Sequence, residues 1–537
     1  MTTDKTTGPS PTAPEAPEAA AATAAAEASH ASKNNIPLVF ASLMLGMLLV
    51  SLGQTIFATA LPTVVGELGG VDQMSWVITA FLLAQTIGLP IYGKLGDQVG
   101  RKPLFIFALS MYLIGSVVGA LGQSIWVIII ARAIQGLGGG GMMVLSQAII
   151  ADIIPARQRG KYMGLMGSVF GLSSVLGPLL GGFFTDGPGW RWALWFNVPL
   201  ALVAIVIAVF AMHLPARGDG KARLDVWGTV FMAGFATCLI LFLSWGGKDY
   251  EWGSATIIGL IVATVVCAVL FVLAELRAKE PLIPMALFAN RNFVLCTLAG
   301  LVIGVVMLGT LSYMPTYIQM VHGMSPTKAG LMMIPMILGM MPTSIVVGII
   351  VSRTGRYKWY PVVGMFITAV GLFLLGGLQT HDSLLHLGLV LFVFGFGLGC
   401  AMQILVLMVQ NAFPVSMVGT ATASNNFFRQ IGMSVGSAVV GSVFTSRLQT
   451  MMGERVPAAM QEMGPEAAPY ADSFSSSGSH SITPDMVSHL PGALHEAVIT
   501  SYNDALVPIF TVLIPLAVVA GVVLLFTRQD KLKDTVE

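Results

Sequence analysis

Five charged side chains carry most of the chemistry that this sequence offers. Arg132 and Arg429 stand inside long apolar runs, whereas Asp97, Arg101 and Asp152 stand where such runs end. A cation in the middle of a hydrocarbon span costs about 2.5 to 3.5 kcal/mol on insertion scales, so it normally faces the protein interior and has a partner. Two readings follow for Arg132: coupling to a moving proton or substrate, with Gln135 on the same helix just before Gly136, or hydrogen bonding to backbone carbonyls for packing alone. The trio at the run ends suits another task. A carboxylate at a helix end caps the positive N-terminus of a neighbouring helix, and Asp152 is placed to reach Arg101. The cluster can therefore hold helices together at one end, the competing reading being a solvated loop whose charges only set topology. No nucleophile with a base and no metal-ligand cluster stands outside the apolar runs. The four cysteines, Cys238, Cys267, Cys296 and Cys400, lie within those runs with no pair at metal-ligand spacing, so they read as packing residues. Neither an enzyme nor a metal site is expected.

The trio belongs to a repeated element. Gly93, Asp97, Gly100 and Arg101 in GKLGDQVGRK recur 255 residues later as Gly348, Ser352, Gly355 and Arg356 in GIIVSRTGRYK. Each copy sits where an apolar run gives way to a short basic loop, so the chain is internally duplicated and its halves should fold alike. Ser352 replaces the acid in the second copy, which predicts a charged latch on one side only.

The elements that position these residues are membrane helices. The chain is 55% hydrophobic and 10% charged, with a mean hydropathy of +0.81, far more apolar than a water-soluble protein. A helix needs about 20 apolar residues to cross a bilayer, and fourteen such runs start near 37, 75, 103, 125, 160, 192, 226, 254, 293, 329, 360, 385, 418 and 507. Of the 27 Lys and Arg residues, 20 fall in the tails and in the loops after even-numbered spans, 5 in the alternate loops and 2 within spans. An excess of basic residues marks the cytoplasmic side, so both termini are expected there, although the FPVSM loop after span 12 has no basic residue. The repeated element follows spans 2 and 10, whereas a plain twelve-helix duplication would place its second copy after span 8. Spans 7 and 8 are thus read as an insertion.

The expected organisation is a disordered cytoplasmic tail (1–35), an N-terminal six-helix bundle (36–213), a linker with two extra transmembrane helices (214–292), a C-terminal six-helix bundle (293–527) and a cytoplasmic tail (528–537). The first tail is too poor in apolar residues to bury a core. Within the second bundle, 447–506 is read as an extracytoplasmic segment that contains the Ser-rich run SFSSSGSHS and two short amphipathic helices, MMGERVPAAM and LHEAVITSY.

At this point the residues resemble the major facilitator superfamily, specifically its fourteen-span drug:proton antiporter branch. GKLGDQVGRK resembles the superfamily's loop 2–3 signature, ARAIQGLGGGG its span-4 motif, and GLSSVLGPLLGGFF its span-5 antiporter motif, with Ser173 in place of the usual first glycine. WRWALWFNVP entering span 6 and NNFFRQIG in span 13 are similar to the fourteen-span branch. The resemblance covers about residues 37 to 446 and span 14. It implies two bundles rocking about a central cavity, multidrug efflux and antibiotic resistance, and a proton gradient in place of any cofactor. It also implies roles: Gly93, Asp97, Gly100, Arg101 and Asp152 as the gate that latches the outward-facing state, and Arg132 as the coupling residue. Gly171, Gly177, Pro178, Gly181 and Gly182 would form the antiporter seam between bundles, a stripe that also reads as ordinary tight helix packing.

Polar residues in spans usually face a cavity or another helix. On that ground Gln54, Gln403, Asn426 and Arg429 are read as lining the substrate cavity. Antiporters of this branch commonly carry an Asp in span 1 where this chain has Gly53, and between 293 and 446 the one acid is Asp382, in an expected outer loop. Glu67 and Asp152 are the acids nearest the membrane. Two cavity arginines without cavity acids suit an anionic headgroup and argue against a site for dications. The leading reading is a multi-pass plasma-membrane exporter of amphipathic or hydrophobic compounds, working by proton antiport. The alternative is an exporter of an envelope lipid, lipid precursor or metabolite, without proton coupling and with 447–506 guiding the cargo. The expected partners are a small-molecule or lipid substrate, the bilayer and protons, with no nucleic acid, and the chain is expected to be a monomer.

Overall fold

Hydrocarbon offers no water to backbone amides and carbonyls, so each apolar run must satisfy them within itself, and a helix does so. The structure, a computed structural model, describes residues 35–69, 73–214, 224–247, 249–464 and 484–532. Among the described residues it is helical, with no strand. The spans are α1 (Ile36–Leu68), α2 (Met74–Val99), α3 (Arg101–Leu121), α4 (Ile125–Ile153), α5 (Ala156–Asp186), α6 (Arg191–Ala211) and α7 (Val226–Trp245). They continue with α8 (Ala255–Arg277), α9 (Arg291–His322), α10 (Thr327–Thr354), α11 (Trp359–Leu375), α12 (Leu384–Asn411), α13 (Val418–Met463) and α14 (Gly492–Leu525). Thirteen are long and apolar enough to cross a membrane by length and composition, and α11, with 17 residues, is a shorter apolar helix.

Helix contacts repeat pair for pair between the two halves. In the first, α1 packs on α5 and α6, α3 on α4 and α6, and α2 on α4; in the second, α9 packs on α13 and α14, α11 on α12 and α14, and α10 on α12. The fold is therefore two six-helix bundles with two further helices. Those two, α7 and α8, pack on each other, and α7 leans on both α2 and α13. Trp76 of α2 meets Trp245 of α7 edge-on at 5.4 Å, and Trp252 Nε1 donates to Ser442 Oγ of α13 over 3.1 Å. Val262, Val265, Val269 and Leu276 leave α8 almost bare of protein contact, as suits a lipid-facing helix.

The chain alternates direction along these helices, so Asn35 and Leu532 lie at the same end as the GKLGDQVGRK loop, termed here the basic end. The other is the far end. At the far end the expected segment 447–506 differs from its reading. Its described portions do not form the two expected helices: α13 runs unbroken through 451–460, α14 begins at Gly492 rather than near 507, and one short helix, Pro484–Ser488, stands between them. A helix of 46 residues is about 69 Å long at 1.5 Å per residue, roughly twice the hydrocarbon thickness, so it projects past the span. Ending a helix leaves four carbonyls unsatisfied, and continuing avoids that cost. The two extensions brace each other through an Arg455–Asp504 ion pair of 2.7 Å, a bond from Arg447 Nη2 to the Asp504 carbonyl, and the Phe444 and Tyr502 rings. The tail 1–34, the linker residues 215–223, the Ser-rich run and residues 533–537 lie outside the described residues.

Where the halves meet, α5 packs along α10 and α12, and α13 along α2 and α4, again as a symmetric pair. The residues that permit this on α5 are Gly160, Gly164, Gly167 and Gly171, one face of the helix. A Cβ on Gly160 would lie 2.7 Å from the Gly348 carbonyl oxygen, one on Gly164 would run into the Ser344 backbone, and one on Gly171 would lie 2.8 Å from Ile337. The expected seam is thus displaced. Of its five residues, Gly171 meets α10 directly and Pro178 sits opposite Gly330; Gly177 and Gly181 face Thr55 and Thr59 of α1 in their own bundle, and Gly182 borders open space. Gly164→Val should therefore force the halves apart and destabilise the folded protein by about 1 to 3 kcal/mol, the usual cost of overpacking. Gly182→Ala should leave the thermal midpoint of the detergent-purified protein unchanged in the same assay.

Candidate functional site

At the basic end the charged trio assembles across three helices. Gly100, at φ 104°, turns the chain sharply between α2 and α3, a conformation that glycine adopts without strain. The turn places Arg101 one helical turn from Asp97. The Arg101 guanidinium is buried; Nη1 donates to Asp152 Oδ1 over 2.8 Å and to the Ala148 carbonyl, and Nη2 to Asp97 Oδ1 over 2.7 Å and the Val415 carbonyl over 3.0 Å. Asp97 in turn reaches the other half. Its Oδ1 accepts from Gly419 N (3.1 Å), and its Oδ2 from Thr420 N (2.7 Å) and Thr420 Oγ1 (2.9 Å). These are the first amides of α13, so the carboxylate caps that helix where the helix dipole favours negative charge. Gly93 makes the approach possible, since a Cβ there would lie 2.8 Å from the Gly419 carbonyl oxygen.

The second copy docks in the mirrored place, on the start of α5. Ser352 Oγ accepts from Lys161 N over 3.1 Å and donates to the Gly348 carbonyl over 2.9 Å, with Gly355 at φ 70° making the corresponding turn. The following Tyr357 accepts from Asp530 N over 2.7 Å, and burial pushes its phenol up to about 12, so it stays neutral. Both copies therefore join opposite halves, one through a carboxylate and one through a hydroxyl. Just inside this end, Gln147 of α4 ties the halves again: its carbonyl accepts from Gln410 Nε2 over 3.0 Å and its side chain from Asn426 Nδ2 over 2.7 Å.

Above this closed layer lies a cavity of about 480 Å³, running from Met143, Phe170 and Met402 toward Ser75, Ser244 and Ala438 near the far end. Arg132 lines it from the first half and Arg429 from the second. Glycines on α4 set the first of these: a Cβ on Gly136 would run into the Phe81 carbonyl and one on Gly140 would lie 2.6 Å from that of Gln85, so α4 lies directly against α2. The Arg132 guanidinium is then held between the Phe57 and Phe81 rings, 4.6 and 4.3 Å from their centroids, and donates to Gln135 Oε1 over 3.1 Å. Its partners are two aromatic faces and an amide, a cation–π arrangement rather than the backbone carbonyls of the packing reading. Arg429 is buried, its Nη2 has no hydrogen-bond partner, and no ion pair among the described residues includes it.

Of the four residues expected to line the cavity, Gln54 and Arg429 do so, Gln54 being bonded to Gln85 over 3.0 Å. Asn426 and Gln403 do not. They lie in the closed layer beneath, Asn426 bound to Gln147 and Gln403 against Gly167 with both amide atoms unpaired. Depth decides this for Asn426: it shares a face of α13 with Arg429, but Arg429 lies three residues, about 4.5 Å, further from the basic end, where the cavity begins. The sequence reading also missed Gln147 and Thr420. A lone amide in an apolar run, like Gln403, was a signal for Gln147; Phe57 and Phe81 had none, because their pairing exists only across helices.

Among the described residues no carboxylate lines the cavity. Gly53, where an acid is usual in the resembling branch, faces the Tyr112 hydroxyl, which donates to the Leu49 carbonyl over 2.7 Å and fills the space a side chain would need. Glu67 is held at the far end by Trp190 Nε1 at 2.7 Å and Arg191 Nη1 at 2.5 Å. Among the described residues no cluster of His, Cys, Asp or Glu could hold a metal ion.

Two matching six-helix bundles around a central cavity, with two further helices beside them, define a membrane transporter. The chain belongs to the Major Facilitator Superfamily, whose family model matches residues 43–437. It is 37% identical over 497 residues to an uncharacterized MFS-type transporter of Mycobacterium tuberculosis, covering 93% of this chain and 70% of the relative. It is 33% identical over 510 residues to the multidrug transporter protein MdtP of Bacillus subtilis, covering 93% and 94%. Among solved structures, the proton:xylose symporter XylE superposes with a TM-score of 0.57 at 15% identity, over 93% of this chain and 98% of that one, a likeness of fold alone. The protein is a transporter and not an enzyme.

The latch makes a directional prediction. Asp97→Asn leaves Arg101 with one acid and weakens the cap on α13, so the closed basic end should lose about 3 kcal/mol, as when one partner of a buried pair is removed. Distances between spin labels at Lys102 and Ser416 should lengthen in this variant. Ser352→Ala, which removes a neutral hydrogen bond worth about 1 kcal/mol, should barely move them.

Proposed function

We propose that this chain is a plasma-membrane exporter that moves amphipathic or hydrophobic compounds outward in exchange for protons, and so contributes to drug and antibiotic resistance. The observation that carries the reading is the closed basic end beneath a cavity that extends toward the far end. With the basic end in the cytoplasm, as the Lys and Arg distribution expects, this is the outward-facing arrangement from which cargo leaves. The size of the cavity falls in the range of drug-sized ligand sites, and Met143, Met307, Met402 and Met433 give it adaptable apolar walls. The multidrug relative, matched along nearly its whole length, supports export of varied compounds. A monomer suffices for this reading, since one chain holds both bundles and the whole cavity.

The test is transport by the purified protein in proteoliposomes with and without an imposed proton gradient, following a fluorescent amphipathic dye. Gradient-dependent movement, abolished by collapsing the gradient, is the expected result. Movement indifferent to the gradient removes proton exchange from the reading, and no movement of any amphipathic probe removes export.

The braced extension of α13 and α14 favours a second reading, export of an envelope lipid or lipid precursor guided by residues 447–506. Removing 464–491, beyond the described end of α13 and before α14, should leave dye efflux at the unmodified level in a drug exporter. A lipid exporter guided by that segment should lose most of its transport.

A further inference from the structure

Among the described residues the cavity holds two cations and no acid, and each cation keeps a nitrogen without a partner, Nε of Arg132 and Nη2 of Arg429. A buried guanidinium is rarely left with an unpaired nitrogen, and an uncompensated buried charge is strongly unfavourable. Arg132 is partly compensated by Phe57, Phe81 and Gln135. Arg429 Nη2 has no partner. The other polar residues of α13 that line the cavity are Gln430, Ser434 and Ser437, none of them anionic. The acids of the transport core are committed elsewhere: Asp97 and Asp152 to Arg101 beneath the closed layer, Glu67 to Arg191 and Trp190 at the far end.

We propose that the missing counter-charge is the cargo: the cavity takes an amphipathic anion whose carboxylate, sulfonate or phosphate group is bound by Arg429 and faces Arg132 across the cavity, with its apolar body against the Met and Phe walls. This inference deepens the reading of the chain as an exporter and rests on it for direction of movement only. A planar guanidinium suits an oxyanion because it donates two parallel hydrogen bonds. Binding would satisfy Arg429 and neutralise a site that otherwise carries two positive charges in a low-dielectric setting. The aromatic faces hold Arg132 in place while leaving it charged, so it contributes field rather than a rigid clamp. The selectivity that follows is by sign: anions over their neutral and cationic counterparts of equal shape.

The test uses the full-length protein in nanodiscs of zwitterionic lipid and three probes on one ring system, anilinonaphthalene sulfonate and its uncharged and trimethylammonium-bearing counterparts. The sulfonate should bind saturably and most tightly. Arg429→Gln should weaken it by about tenfold or more, the loss expected for a charge-assisted hydrogen bond, while Arg429→Lys retains most of the affinity and Arg429→Glu shifts preference to the cation. Arg132→Gln should weaken it in the same direction. Equal affinity for the three probes, or unchanged sulfonate affinity in a folded Arg429→Gln protein, overturns the proposal. Adding phosphatidylglycerol to the nanodisc separates the sources of the anion: competition with the sulfonate assigns the site to a lipid headgroup, and its absence assigns it to a free solute. Sulfonate that binds without being transported would leave this site standing and remove the exporter reading; export of the cationic probe without sulfonate preference would do the reverse.

Discussion

The structure depends on one carboxylate placed between two halves of a molecule. Asp97 faces Arg101 on its own turn, and the same two oxygens cap the first amides of α13 in the other bundle. Arg101 cannot leave, because Asp152 and the Ala148 carbonyl hold its other nitrogen. Nearby, Arg159 is satisfied by the carbonyls of Ala151 and Ile154, so two arginines and two aspartates share the buried layer and their charges balance. Buried charges are tolerated only when paired and hydrogen-bonded, and here every pairing lies within the first bundle except the Asp97 cap on α13 and the bond from Arg101 Nη2 to the Val415 carbonyl. Opening the basic end must therefore strip Asp97 of its partners in α13, and Arg101 of the Val415 carbonyl, while leaving the pairings within the first bundle intact. That is a discrete step with two arrangements, the kind of element on which a gating cycle turns.

The duplicated fold makes the asymmetry of this device plain. Where Asp97 meets α13, Ser352 meets α5 at the equivalent place, and glycines at Gly93 and Gly348 bring the backbones equally close. The geometry of the two docks is alike; their chemistry differs. A charge-assisted bond is roughly twice as strong as a neutral one, so the α2–α13 side holds more tightly than the α10–α5 side. The extra helices add to that stronger side. Lys94, three residues before Asp97, pairs with Glu280 just after α8 at 2.7 Å, which ties the inserted hairpin to the same gate.

Much of this was legible in the sequence because it is written along single helices. Apolar runs of bilayer length, the offset between copies of the repeat, and the GxxxDxxGR spacing all follow from periodicity within one element, and each appears in the fold. What could not be read depends on how helices are rotated against one another. The stripe Gly160, Gly164, Gly167 and Gly171 faces the other bundle, whereas Gly177 and Gly181, further along the same helix, face α1. Depth along the helix was equally hidden: Asn426 and Arg429 share a face of α13 three residues apart, yet one is in the packed layer and the other in the cavity. The absence of an acid at Gly53 was visible; that Tyr112 occupies its space was not, since Tyr112 belongs to a different helix.

The placement of acids constrains how energy enters a transport cycle. A group that couples protons to movement must change its surroundings as the protein changes state, and among the described residues the cavity contains no carboxylate to do so. Proton exchange in this chain would therefore act at the gate, where Asp97 gains or loses its partners in α13, rather than at the cargo. The electrical term acts independently of that. An inside-negative potential favours outward movement of an anion by about 2.3 kcal/mol per charge for each 100 mV, which at 25 °C is a concentration ratio of roughly fiftyfold. A cation would face the same term with opposite sign and would need a cavity acid to bind against. A cavity with two arginines and no acid is thus consistent in both respects, binding and driving force, with cargo that carries negative charge outward.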